Sequence, residues 1–444
     1  MKRSAYVWMG VLLGLAWLTA GTALGGGFFL YEQSVKSLGN AFAGAESSAE
    51  DASTIFYNAA GITRLPGSQF ELGANVIMPS DKFDNHGSTT SPVVGGAPLT
   101  GGNGGDAGKT GVVPNFYYSQ EIMPWLHAGL GVNAPFGLES DYNRDWVGRY
   151  YAVKSELTTI NFNPTVAVKL HDMVSVGAGF NAMYFDAKLT NAVDYGTIGA
   201  LIGAGTAPQS LDGFAKVTGD TWGYGWNAGV LFTPSETLRL GLAYRSSVDI
   251  DLTGNAKFST PAAAAGIAAL TGLVDTGAEA DITLPATASM GAYWRFHPQW
   301  AVLGNVFWTD WSKFNELRVK LDTGTDAVTT NDWNDAFRYA LGLSYYPTPA
   351  WTFRIGGSYE ETPIPNKRLR SPRIPDANRF WTTFGLTWSF SKNFGLDLAY
   401  AHLFVNNSKI DHSGLEPEDY TRGALNGDYD ATVNIISAQL SWRF

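Results

Sequence analysis

The chain contains no cysteine in 444 residues. A disulfide framework and a cysteine-ligated metal or cluster are therefore excluded. Charge is also scarce: charged residues make up 16% of the chain, against about 25% in an average soluble protein. The balance that remains is acidic, 40 Asp and Glu against 30 Lys and Arg, for a net charge of −10. That sign argues against nucleic acid as a partner. Long apolar runs are nearly absent. A helical membrane protein would need repeated stretches of about 20 apolar residues, and one long uncharged apolar stretch stands out, Ala5–Ala20 behind Lys2 and Arg3. With small residues at Ala23 and Gly25, it reads as a secretory signal over 1–25, cleaved after Gly25. What the chain does hold is 51 glycines and 14% aromatics. Little charge, no helical spans and much glycine and aromatic point to a membrane protein built from strands, because only helices and closed barrels satisfy the backbone in hydrocarbon.

The C-terminus makes the case locally. Ile436, Ala438, Leu440, Trp442 and Phe444 alternate with Ser437, Gln439, Ser441 and Arg443. This period of two is a strand with one apolar and one polar face. The pattern recurs at Leu126–Ala134, Val174–Ala182, Leu238–Arg245, Arg338–Tyr345 and Phe394–Ala401, often with glycine or alanine on the polar side. Fourteen strands are expected, near 69–79, 112–121, 126–135, 157–170, 174–187, 221–233, 237–251, 280–296, 300–312, 334–346, 351–361, 379–390, 393–404 and 431–444. Six tight turns, among them Met123-Pro124 and Ser391-Lys392, alternate with seven long connections. An even strand count with alternating short and long loops is the pattern of a bacterial outer-membrane barrel. The expectation is an all-β fold, a 14-stranded antiparallel transmembrane β-barrel over 67–444, with both mature termini periplasmic and the long loops outside. Trp125, Trp300, Trp351 and Trp388 fall at strand ends, as an interfacial girdle requires.

Residues 26–66 break the alternation. They are rich in small residues but carry Phe28, Phe29, Leu38, Phe42, Ile55, Phe56 and Ile62. A barrel of this width needs a filling or leaves a pore, so this segment is expected to be a plug.

The plug words S-L-G-N-A-F-A-G-A (37–45), E-D-A-S-T (50–54) and Y-N-A-A-G-I-T (57–63) resemble the hatch of the FadL-type outer-membrane transporters of long-chain fatty acids and hydrocarbons. A-P-F-G-L (134–138), W-V-G-R-Y-Y-A (146–152), I-N-F-N-P-T-V-A (160–167), L-P-A-T (284–287), W-T-D-W-S-K-F (308–314) and I-P-D-A-N-R-F-W (374–381) are similar to that family too. One departure is Asn58-Ala59-Ala60, where the family's hatch usually has Asn-Pro-Ala. The resemblance implies passive capture of a hydrophobic small molecule at the cell surface and passage through the lumen past the hatch. It also implies a capture groove between two outer loops. Those loops are apolar here: one holds Leu201 and Ile202, and the other holds Ile267, Leu270, Leu273 and Val274 in an alanine-rich stretch with helical spacing. A side window is implied in the third strand, where Gly129, Gly131 and Pro135 weaken pairing.

Read from parity alone, Arg338, Arg354 and Arg379 face inward in a staggered column, Arg354 low in the barrel, Arg338 higher and Arg379 near the outer end. A buried cation needs an anion, which a fatty-acid carboxylate or an internal acid such as Glu46, Glu50, Asp51 or Asp397 could supply. With Phe28 and Phe29 they are the candidate lumen contacts. The six histidines, His86, His127, His171, His297, His402 and His412, sit in no catalytic motif, so an enzyme is not expected, and neither metal nor cofactor is assigned. Partners implied are the substrate, outer-membrane lipid and the barrel assembly machinery, which reads a terminal aromatic such as Phe444. The alternatives are an uptake channel for neutral aromatic hydrocarbons or alkanes and, third, a polar-solute porin.

Overall fold

The computed structural model describes residues 26–444. The leader expected over 1–25 lies outside the described residues. Twenty strand segments make up fourteen staves. The first two are β1 (Ser68–Asn85) and β2 (Gly111–Met123). The third is interrupted, β3 (Leu126–Asn133) and β4 (Gly137–Asp141). The next three are continuous and long: β5 (Lys154–His171), β6 (Val174–Asp194) and β7 (Asp212–Ser235). Four bent staves follow: β8 (Leu238–Arg245) with β9 (Val248–Ser259), β10 (Thr276–Leu284) with β11 (Thr287–His297), β12 (Trp300–Thr309) with β13 (Glu316–Leu321), and β14 (Asp326–Thr330) with β15 (Ala336–Thr348). The rest are β16 (Trp351–Glu360), β17 (Arg379–Trp388), β18 (Phe394–Val405) with its short extension β19 (Ser408–Asp411), and β20 (Asn426–Arg443). Neighbours pair antiparallel throughout, and β20 returns to β1 over Arg443–Gly427 against Gln69–Asn85, which closes the barrel.

Burial along each stave is inverted relative to a soluble sheet. On β20, Ile436 and Leu440 are 55% and 54% exposed, whereas Ser437 and Gln439 between them are 2% and 1% exposed. Period-two alternation therefore turns its apolar face outward, as hydrocarbon outside requires. Aromatic rings collect near the short turns: Trp300 stacks on Tyr345, Trp351 on Trp388, and Phe394 on Trp442. Where the sequence suggested a loop over 313–333, the chain folds back as the β13–β14 hairpin. Several staves also run well past the expected strand ends, β6 to Asp194 and β9 to Ser259. Polar alternation continues there above the membrane band, so it no longer contrasts with a polar loop.

Residues 26–66 fill the lumen. Short turns at Val35–Leu38, Ala45–Ser48 and Thr54–Tyr57 and a 3-10 turn at Ala59–Arg64 pack against the wall. Phe28, Phe29, Leu38, Phe42, Ile55, Phe56 and Ile62 are all buried in one core with wall residues. Fully burying one such side chain contributes about 1.5–3 kcal/mol. Inward glycines make the room. A Cβ on Gly177 would meet the carbonyl carbon of Ala59 at 2.5 Å, and one on Gly385 would meet the Cα of Gly39 at 2.6 Å. The hatch also ties itself to wall carbonyls. Asn40 Nδ2 donates to Leu343 O (3.0 Å) and Ile355 O (3.2 Å), and Asn58 Nδ2 donates to Val230 O (3.0 Å).

Candidate functional site

The long loops and strand extensions enclose a vestibule of about 960 Å³ at the outer mouth. Ile198, Val217, Leu273 and Leu317 line it together with charged side chains of both signs, Arg368, Arg373 and Arg422 among the cations and Glu316, Glu418 and Asp419 among the acids. Its volume lies within the usual range for small-molecule sites, about 300–1,000 Å³. Beneath it is a narrower apolar cavity of about 80 Å³ lined by Phe28, Leu157, Phe185, Ile282, Phe314 and Ile374. That is smaller than the engineered cavity of about 150 Å³ that admits benzene, so the lower chamber is too small for a ligand of that size as it stands. Leu189, Val217, Leu317, Val319, Thr329 and Arg373 line both spaces. The vestibule thus continues into the cavity, with one cation at the passage.

Arg373 donates to Ser155 Oγ (3.1 Å) and Asn191 Oδ1 (3.2 Å), and no carboxylate lies within ion-pair distance of it among the described residues. Burial first, and Arg422 second, pull its guanidinium down to about 9, so it is charged at neutral pH. A half-buried cation with only neutral acceptors is an anion site in waiting. Parity reasoning missed this residue because it lies in the connection 361–378, not on a strand. A signal was present all the same: Pro372 and Pro375 bracket Arg373-Ile374 and stiffen the loop, and Tyr142 Oη holds Pro372 O at 2.8 Å.

The three arginines expected from parity do face the lumen, each engaged differently. Arg354 pairs with hatch residue Glu50 at 2.8 Å and also bonds Thr387 Oγ1 at 2.6 Å. Arg379 pairs with Asp376 and approaches Glu360 at 3.8 Å; neither acid is among the partners considered from sequence. Arg338, 1% exposed, donates to Ala41 O (2.7 Å) and Ser358 Oγ (2.8 Å) and lies over the rings of Tyr31, Phe42 and Trp381. The hatch encloses it. Asp397, another acid considered, is 3.9 Å from hatch Lys36, which is 3.2 Å from Asp51. Phe28 forms the cavity floor in a cage with Trp311, Phe314 and Trp333. Phe29 sits deeper, against Phe136 and Phe307.

The apolar outer loops form helices Tyr195–Leu201 and Ala265–Thr271, which pack on each other through Ile198, Ile267 and Ala268 with Leu273 alongside. Ile267 is spent on that contact. Leu201, Ile202, Val274 and above all Leu270, 76% exposed, remain in solvent. Exposed apolar residues so grouped mark an interaction surface. In the hatch, Asn58 caps the 3-10 turn, its Oδ1 accepting from Ala60 N at 3.0 Å, so Ala59 and Ala60 are held without a proline.

In the third stave Gly129 and Gly131 pair with both neighbours, so the glycines do not weaken pairing as expected, and pairing stops only further along, before Pro135. β2 and β3 pair up to Phe116↔Val132, and pairing resumes only at the Gly108↔Ser140 bridge. Between them the β2 residues Gly111–Asn115 pair with β1 alone. Gly129 and Gly131 lie against Ile55, where a Cβ on Gly129 would approach Cδ1 to 2.6 Å. The hatch backs the gap: Leu30 N donates to Pro135 O (2.8 Å) and Gln33 Nε2 to Ala134 O (2.7 Å). Among the described residues no group of three or more His, Asp or Glu is placed to hold a metal.

With this geometry in hand, comparison with known proteins is specific. Residues 16–444 match the family described as outer membrane protein transport protein (OMPP1/FadL/TodX). The chain is 31% identical over 426 residues to the long-chain fatty acid transport protein of Escherichia coli K12, covering 90% of this chain and 93% of that protein. It is 30% identical over 460 residues to the putative outer membrane protein NMB0088 of Neisseria meningitidis, covering 98% of each. A Pseudomonas aeruginosa FadL homologue superposes with a TM-score of 0.88 at 23% identity, over 94% of this chain and 100% of that one. The toluene transporter TodX of Pseudomonas putida superposes with a TM-score of 0.66 at 17% identity, over 88% and 94%. These two likenesses speak for the fold.

Proposed function

The chain belongs to the OMPP1/FadL/TodX family of outer membrane transport proteins, and from that premise we propose that it carries hydrophobic compounds, long-chain fatty acids first, passively across the outer membrane. The observation that carries the choice of substrate is Arg373. It places an uncompensated cation where a large vestibule narrows into an apolar cavity. An amphipathic anion meets both demands, its carboxylate on Arg373 and its chain along the apolar wall. Capture begins on Leu201, Ile202, Leu270 and Val274. The narrow cavity then has to widen by movement of Phe28, and the gap beside the third stave beyond Val132, around Ala134 and Pro135, offers a lateral way out into the membrane behind the hatch. The termini lie on the periplasmic side, and the terminal Phe444 serves the barrel assembly machinery.

A neutral-hydrocarbon reading has one observation of its own, the aromatic cage of Phe28, Trp311, Phe314 and Trp333. The test compares oleate with methyl oleate and toluene, binding being measured by quenching of intrinsic tryptophan fluorescence. Charge-assisted hydrogen bonds contribute about 1.5–3 kcal/mol. Arg373→Gln should therefore weaken oleate by roughly ten- to a hundredfold and leave the neutral ligands unchanged. Equal loss for all three ligands, or none, would remove the carboxylate assignment.

A further inference from the structure

The first described residues end in a buried ion cluster that is one positive charge short. Gly26 N lies 2.5 Å from Glu360 Oε1, and Gly27 N lies 3.3 Å from Asp376 Oδ2. Glu360 also accepts from Trp381 Nε1 at 2.9 Å, and Asp376 from Thr362 Oγ1 at 2.5 Å. Glu360, Asp376 and Arg379 are each 2% exposed or less. Arg379 is the cation within ion-pair distance of both acids. Two carboxylates thus share one guanidinium. Farther out, Arg338 is outside ion-pair distance of either acid and lies over Tyr31, Phe42 and Trp381, and burial pushes Glu32 up to about 7. As an amide, Gly26 N brings a dipole to this site but no charge, and a buried, uncompensated carboxylate is strongly unfavourable.

We propose that cleavage between Gly25 and Gly26 supplies the missing charge, so that the new α-ammonium becomes the fourth member of the cluster and locks the hatch under the cavity. Hydrolysis by a signal peptidase adds water across the peptide bond. The leader keeps a carboxylate on Gly25, and the Gly26 nitrogen departs as an amine that takes up the released proton. Nothing else needs to move. The site is closed around this terminus: a Cβ on Gly26 would meet Glu360 Oε1 at 2.6 Å, and Gly27, at φ 68°, has Trp311 and Trp333 each 2.7 Å from where a Cβ would stand. The next residue is Phe28, the floor of the cavity. Maturation therefore sets the charge that anchors the backbone from which the Phe28 side chain swings. An uncleaved chain would carry the charge deficit. This inference concerns maturation and stands apart from the identity of the substrate.

The test uses mature protein purified from outer membranes in detergent. N-terminal sequencing should return Gly26. The α-amine should react with an N-hydroxysuccinimide ester at least tenfold more slowly in the folded protein than after unfolding. The pH profile of labelling separates ion pairing from mere burial. A paired ammonium titrates at least one unit above an ordinary α-amino group, which titrates at about 8, whereas a terminus that is only buried titrates below it. Asp376→Asn and Glu360→Gln should each accelerate labelling several-fold. A different first residue, equal rates before and after unfolding, or a titration midpoint at or below about 8 would each overturn the proposal, and the wild-type arms decide it even where a variant fails to assemble.

Discussion

Hatch and wall meet through single pairs whose energetics are explicit. Glu50 illustrates the balance. Burial alone would raise its carboxyl, but Arg354, Lys36 and the hydroxyl of Tyr346 outweigh burial and hold it at about 2. An unfolded glutamate titrates near about 4.3. The stability gained from this pair is therefore full above that value and is lost as pH falls toward 2. Conductance in planar bilayers should stay flat between neutral pH and about pH 5 and rise below about pH 4 as the hatch loosens; equal conductance at pH 3 and pH 7 would contradict this. Removing the cation at neutral pH has the same effect by another route. Arg354→Met leaves a nearly buried carboxylate unpaired and should cost about 3 kcal/mol in urea titrations. At this scale the sequence was half legible. Parity on a strand shows that Arg338, Arg354 and Arg379 point inward, because side chains alternate strictly. Parity says nothing about Arg373, whose direction comes from a proline-bracketed loop, or about Asp376, which reaches Arg379 from that same loop.

At the scale of elements, fourteen staves were readable because lipid enforces alternation on every one of them. Their interruptions were not. The breaks between β3 and β4, β8 and β9, and β12 and β13 fall inside staves and leave no periodic trace in the sequence. The inward glycines are the exception, since their missing side chains forecast a filled lumen. Gly385 presses on the backbone of Gly39, so Gly385→Val has no flexible neighbour to push aside. It should displace the turn Val35–Leu38, raise single-channel conductance and leave the barrel folded, as judged by heat-modifiable gel migration. Wild-type conductance in that variant would mean the turn can shift without unplugging the lumen. The outer helices were legible in type and only half so in role. Their spacing foretold a helix, but Ile267 packs inward while Leu270 stays in solvent. Leu270→Glu should accordingly slow fatty-acid association several-fold and leave the dissociation rate unchanged; an altered dissociation rate would move this residue into the deeper site.

For the whole molecule the governing fact is the medium. The wall's outer face is apolar, its inner face is polar and glycine-rich, and the plug carries the aromatic core that a soluble protein would build from its sheets. Two energy scales follow, one for the plug and one for the wall, and they respond to different perturbations. Acid, Arg354→Met and Gly385→Val act on the plug. The wall responds to charge placed against lipid, and the response depends on depth: about 2–4 kcal/mol for an arginine at the midplane and about 0–1 kcal/mol near the interfaces. Leu341, 70% exposed partway along β15, and Ile122, at the short-turn end of β2, sample these two depths. Leu341→Arg should lower stability by about 2–4 kcal/mol and Ile122→Arg by at most about 1 kcal/mol in urea unfolding from lipid vesicles. Neither should change conductance or oleate affinity, because neither side chain touches hatch, vestibule or cavity. A penalty at Ile122 equal to that at Leu341 would mean that the hydrocarbon band does not lie where the exposed apolar face and the aromatic rings near the short turns place it.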